Sequence, residues 1–174
     1  EYYGCPTGVH GGKTDSCFHD EQAGAEKLAT MLLTVLAGAV GIGTVGHLEN
    51  AVTFCPVQLV IDNELAGYVR RAIRSPLEVN DETLAVDLIA AAGPGGQFLD
   101  SEHTARHFRE EVFLSKLFPV RPWETAHADP QRYETAAAAR AIAAELWRPP
   151  EAPVLSEEQV REIDKIVQHA LSNA

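Results

Sequence analysis

Twice before Ser75-Pro76 the chain runs from a short apolar segment through a polar, glycine-bearing loop into a long helical pattern. In the first pass, residues 5–9 read as a short strand, bounded by Pro6 and Gly8, that opens into the loop 9–20, VHGGKTDSCFHD. From about Glu21, residues Ala25, Leu28, Met31, Leu32, Val35 and Leu36 recur at helical spacing, predicting one long, largely buried helix that ends in AGAVGIGTVG. In the second pass, residues 39–43 form a strand candidate and 44–50 a polar loop with His47 and Glu49. Pro56 then starts a helix, with Val57, Val60, Ile61, Leu65, Tyr68 and Val69 inside and Arg70, Arg71 and Arg74 in its last turn.

Strand, loop and helix repeated in series is the grammar of parallel α/β proteins, whose ligands sit at the C-terminal ends of the strands. Two strands do not make such a sheet, and a (β/α)8 barrel takes about 250 residues. The expected fold is therefore α/β: the C-terminal quarter of a (β/α)8 TIM barrel, its last two strand-helix units in residues 1–78. An all-helical extension follows in 79–174, so that the chain is mostly helical and part of a longer protein. The open edge of a cut barrel makes self-association as a homo-oligomer an expectation too.

The extension has its own punctuation. Asn80 caps a helix expected over 81–92, closed by Gly93-Pro94, and Ser101 caps another running to about Leu117. Asp129-Pro130 opens an Ala-rich helix to Trp147. Ser156 and Gln159 make a capping box for a last helix with Val160, Ile163, Val167 and Leu171 in one stripe.

Composition removes several functional classes. A net charge of -11 with no basic stripe argues against nucleic acid as a partner. No apolar run reaches the ~18–20 residues of a membrane span. The opening Glu1-Tyr2-Tyr3-Gly4-Cys5-Pro6 lacks the pattern of a signal peptide, so a cytoplasmic protein is expected. Cys5, Cys17 and Cys55 are odd in number and widely spaced, which fits reduced thiols.

Four segments, read together, are more specific than any one of them: GGKTDSCFHDEQAGAEK, GHLENAVTFCPVQLVIDNELAGYVRRAIR, VNDETLAVDLIAAAGPGGQFL and HTARHFREE. In this order, over about 2–117, they resemble the trimethylamine methyltransferase family. The resemblance implies a barrel enzyme that passes a methyl group from a small methylated amine to cobalt. It further implies that no cofactor is bound tightly by this chain, the corrinoid (cobalamin) that accepts the methyl being carried by a separate corrinoid protein. Trimethylamine-specific members of the family carry pyrrolysine, expected in or near 9–15, whereas every residue here is standard. An imine electrophile serves an amine with a lone pair; a quaternary ammonium has none and is already an activated leaving group. The absence therefore favours a quaternary amine such as glycine betaine over trimethylamine.

Within this frame Asp15, Glu49 and His10 are the candidate catalytic residues, and Lys13, His47 and Phe18 the candidate substrate-binding ones. Asp15 would hold a substrate cation or serve as a turn or cap residue. His10 would face the barrel mouth or be a hydrogen-bonded structural histidine. Lys13 would bind a carboxylate or be solvated, and Glu49 and His47 would join them or be a helix-entry acid and a surface histidine. Phe18, with Tyr2, Tyr3 and Phe54, could supply faces to an ammonium cage, each contact adding roughly 0.5–2 kcal/mol. His103 and His107 stand four apart with Glu110 and Glu111 beyond, a metal-ligand spacing without the glutamate of HExxH; backbone-bonded structural histidines are the competing reading. Cys17 as a nucleophile would need an environment that lowers its pKa, and the implied chemistry does not call for one. The rival to an enzyme is a non-catalytic helical interaction module that docks a corrinoid protein or another subunit.

Overall fold

The two short apolar segments do become strands, and they pair in parallel: β1 (Gly8–Val9) lies beside β2 (Gly41–Ile42), with Gly8 opposite Gly41 and Val9 opposite Ile42. This is a computed structural model, and it describes residues 3–74, 78–118, 120–128 and 134–172. Between the strands runs α1 (Glu21–Leu36), started by Asp20, whose carboxylate accepts the Ala23 amide at 2.9 Å. A β-α-β crossover with parallel strands is an α/β element, in a chain that is otherwise mostly helical.

The second polar loop is not an open loop. It folds into an antiparallel hairpin, β3 (His47–Leu48) against β4 (Thr53–Phe54), joined by a 3-10 turn at Glu49–Ala51. Pro56 then takes the first position of α2 (Pro56–Ala72), as expected. The expected stop at Ser75-Pro76 lies outside the described residues.

Helices α1 and α2 pack together, and their buried faces differ from the expected ones. On α1 the inward row is Ala23, Lys27 and Met31, spaced by four, while Leu28 and Leu36 are exposed. On α2 Ile61, Leu65 and Val69 are buried as expected, but Gln58 and Asp62 join them and Tyr68 is exposed. Residues four apart stack on one helical face, so a face centred on Lys27 turns Leu28 about 100° away. Met31, Ile61, Leu65 and Val69 form the core with Leu117 and Ala139.

Two helices of the extension are shorter than their patterns suggest. The helix expected over 81–92 is broken into α3 (Asp81–Leu84) and α4 (Val86–Ala92) by Ala85, which is left-handed at φ 48°. At the start of α3, Thr83 closes a capping box with Asn80, and its hydroxyl also reaches back to the Glu78 and Asn80 carbonyls. The next helix, α5 (Glu102–Glu111), stops well before Leu117. Val112 is extended, and the Ser115 hydroxyl donates to Glu64 while accepting the Leu117 and Phe118 amides, a turn that delivers Leu117 to the core. Phe113 lies against the middle of α2 at Gly67, where a Cβ would come within 2.3 Å of the ring. Arg71 and Arg74 pair with Glu111 at the end of α5.

A short helix that the sequence did not signal, α6 (Trp123–Ala128), precedes α7 (Thr135–Leu146). The expected opening of α7 at Asp129-Pro130 lies outside the described residues. The chain divides into two compact units, Glu1–Ala143 and Ala144–Ala174. The second holds α8 (Glu157–Ser172), whose capping box is formed: Gln159 accepts the Ser156 amide at 2.8 Å and Ser156 accepts the Gln159 amide at 3.2 Å. Its stripe of Val160, Ile163, Val167 and Leu171 is exposed. Among the described residues no helix is long and apolar enough to cross a membrane.

Candidate functional site

The first loop leaves β1 tied to the end of β2, because the Gly43 amide donates to the Val9 carbonyl at 2.8 Å and the Gly12 amide to the Gly43 carbonyl at 3.1 Å. Gly11 fits here because a Cβ would stand 2.9 Å from the Thr34 hydroxyl and 3.1 Å from Ile42. From Gly12 the chain alternates: Gly12, Thr14 and Ser16 are buried, Lys13, Asp15 and Cys17 exposed.

The buried members are held by carboxylates of α1 and its cap. Thr14 donates its hydroxyl to Glu26 Oε2 at 2.7 Å, and the same oxygen accepts the Asp15 amide at 2.9 Å. Ser16 donates to Asp20 Oδ2 at 2.8 Å. Glu26 is held below the usual carboxylate range by the Thr14 hydroxyl first and the Asp15 amide second, and Asp20 by the Ala23 amide first and Ser16 second.

The hairpin then docks on this loop through its backbone. The Glu49 amide donates to the Ser16 carbonyl and the Asn50 amide to the Thr14 carbonyl, both at 2.8 Å, so Asp15 and Glu49 are brought together on adjoining segments. Reaching those acceptors takes three consecutive left-handed residues, Glu49, Asn50 and Ala51, with φ of 51°, 50° and 73°. Thr44, at φ 63°, is a fourth non-glycine residue of this kind in the same segment. Such conformations cost roughly 1–3 kcal/mol each and gather at functional sites.

Both Asp15 and Glu49 are exposed, and Glu49 Oε2 accepts the Thr53 hydroxyl at 3.0 Å. His47 bonds the Val45 carbonyl through Nδ1 at 3.0 Å and meets the Phe54 ring edge-on at 5.4 Å. His10 is exposed at the end of β1, where a side chain on Gly43 would meet its Nδ1 at 3.6 Å. Lys13 and Phe18 are exposed on the first loop, as Tyr3 is at the chain start; Tyr2 lies outside the described residues. The structure thus gathers Lys13, Asp15, His47 and Glu49 on two bonded segments, with His10 at the end of β1.

His103 and His107 stack with ring centres 4.6 Å apart on α5. His103 Nε2 bonds the Glu82 carbonyl at 3.0 Å, and His107 Nε2 lies 3.6 Å from Glu82 Oε1. Among the described residues no group of three or more His, Cys, Asp or Glu is arranged to hold a metal ion.

Sequence reasoning missed what supports both loops. Lys27 and Asp62, both fully buried, form a 2.8 Å ion pair. Lys27 also donates to the Gly12 carbonyl at 2.7 Å, and Asp62 Oδ2 accepts the Gly46 amide at 2.6 Å. Asp62 Oδ1 accepts from the Gln58 side-chain amide at 2.7 Å. One buried pair therefore grips the first loop with its cation and the second with its anion. The available signal was a Lys, a Gln and an Asp at inward-facing positions of two successive helices, since buried charges persist only when paired.

The trimethylamine methyltransferase (MTTB) family model matches residues 1–172. The chain is similar to a trimethylamine methyltransferase of Desulfitobacterium hafniense, 42% identical over 111 residues, which covers 64% of this chain and 22% of that protein. To the trimethylamine methyltransferase of Methanosarcina barkeri it is 43% identical over 104 residues, 60% of this chain and 21% of that one. A glycine betaine methyltransferase of Desulfitobacterium hafniense is 29% identical over 125 residues, 71% of this chain and 26% of that protein. The chain spans about a quarter or less of the curated relatives it matches. With a family match along nearly its whole length, the chain belongs to the trimethylamine methyltransferase family.

Proposed function

We propose that this chain is the C-terminal part of a methyltransferase that moves a methyl group from a small methylated amine to the cobalt of a corrinoid protein. In this reading β1 and β2 are the last two strands of a (β/α)8 barrel, and the two loops that follow them lie at its ligand-binding end. The observation that carries the reading is the backbone union of the loops, which sets the exposed carboxylates of Asp15 and Glu49 on adjoining segments. Carboxylates on adjoining segments suit a methylated ammonium: they favour the bound cation and orient the methyl toward the acceptor. Lys13 would take the carboxylate of a betaine-like substrate, and His47 would keep its place through the Val45 carbonyl.

As the C–N bond breaks, its electron pair leaves with nitrogen, and a quaternary ammonium departs as a neutral amine without needing a proton. The corrinoid, held by its own protein, supplies the metal that accepts the methyl. Standard residues throughout the first loop favour a quaternary amine such as glycine betaine. The higher identity to trimethylamine enzymes favours trimethylamine as the second reading.

The test is methyl transfer by the complete protein to its corrinoid partner or to free reduced cobalamin, followed by cobalt absorbance with each amine in turn. Methylcobalt formed from glycine betaine but not trimethylamine supports the first reading, and the reverse supports the second. No methylcobalt with either, or with related quaternary amines, overturns both. In the active protein, Asp15→Ala and Glu49→Ala are expected to lower turnover, and unchanged turnover removes the residue from the site.

A further inference from the structure

The buried ion pair does more than hold two loops: it fixes, through two further side chains, which nitrogen of a histidine faces a cysteine. Asp62 is paired with Lys27, so Oδ1 can only accept, and the Gln58 group 2.7 Å away must be its NH2. That leaves Gln58 Oε1 as the group 2.8 Å from His19 Nδ1, where it can only accept. His19 therefore carries its proton on Nδ1, and Nε2 presents a lone pair to Cys55 Sγ at 3.6 Å. A thiol, a base within reach and a third group orienting the base form the constellation of an activated nucleophile. Cys55 is also the N-cap of the 17-residue α2, where backbone amides favour negative charge. Cys55 and His19 are both half-buried, so solvent reaches the pair.

We infer that Cys55 is a site of reversible modification by low-molecular-weight disulfides, with His19 as its base. The Cys55 proton passes to His19 Nε2 while sulfur attacks one sulfur of the disulfide. The S–S bond breaks, and the departing thiolate takes the proton from His19. Cys55 ends oxidised in a mixed disulfide and half of the reagent ends reduced as a free thiol. The adduct would sit where the hairpin meets α2, since the Cys55 amide donates to the Gly46 carbonyl at 2.8 Å. Cys5 and Cys17 are more exposed than Cys55, and among the described residues neither sulfur has a base beside it, which makes them internal references.

The experiment is peptide-resolved mass spectrometry of the complete protein during exposure to glutathione disulfide at neutral pH. Cys55 is expected to be modified at least about tenfold faster than Cys5 and Cys17, as general-base assistance gives. His19→Phe should erase that lead, and Gln58→Leu, which frees the tautomer, should reduce it several-fold. A Cys55 rate no greater than that of Cys17 in the unaltered protein overturns the inference without recourse to any variant. So does a lead that survives His19→Phe. The outcome is independent of which amine, if any, the protein demethylates.

Discussion

The two strand-end loops reach the same place by opposite means. The first is held by side chains close in sequence: Glu26 takes Thr14 and the Asp15 amide, and Asp20 takes Ser16. The second hangs on partners remote from it, donating its amides to the first loop and to Asp62, and it bends through four left-handed non-glycine residues to do so. The first loop is thus a template and the second a dependent. A self-anchored loop can keep its shape while its neighbour varies, whereas a dependent loop is lost with its support.

Asp62→Ala should cost about 3–5 kcal/mol in chemical denaturation, because it strands the Lys27 cation in the core. Replacing Lys27 and Asp62 together by Met and Leu should recover much of that stability, yet leave the Gly46 amide without its acceptor and exchange-prone. Equal protection at Gly46 in the double variant would contradict the dependence of the second loop on Asp62. Next in size, Gly11→Ala should cost about 1–3 kcal/mol by crowding Thr34 and Ile42, and should loosen the hairpin as well as its own loop. Ala51→Gly should instead stabilise the protein by up to about 1 kcal/mol, since glycine accepts a positive φ without strain. A destabilising result there would show that the Ala51 side chain has a packing role.

The smallest effect is one of pH. Glu26 and Asp20 sit below their ordinary values of 4.5 and 3.8, so their contribution is complete above those values and is lost as pH falls through the lower, folded ones. In acid titration followed by amide chemical shifts, Asp15 and Ala23 should move in that acidic window and not near neutrality.

The same contrast explains what could be read from the sequence. Asn80, Ser101 and the Ser156 and Gln159 pair announced helix starts because capping is a local transaction between residues two or three apart, and Pro56 did so because its fixed φ suits a first helical position. The parallel strands followed from two apolar segments separated by a helix. The hairpin did not, since no propensity favours Glu49 or Ala51 with positive φ and only docking on Thr14 and Ser16 explains them. The end of α5 is not legible locally, because Ser115 is committed to Glu64, over fifty residues earlier. Of the candidate site, Asp15 and Glu49 were legible as polar residues after strands. Their union was not, nor was the Lys27 and Asp62 pair beneath, because each is fixed by partners from another element.

The alternation of buried Gly12, Thr14 and Ser16 with exposed Lys13, Asp15 and Cys17 makes the first loop sensitive to parity. Inserting or deleting one residue before Asp15 would exchange inside for outside along the segment, turning a carboxylate inward toward Glu26 and a threonine to solvent. A change of two would keep the faces and alter only the reach. Natural variation in the length of this loop should therefore come in even steps, and a chain with an odd step would have to reassign which residue presents the charge.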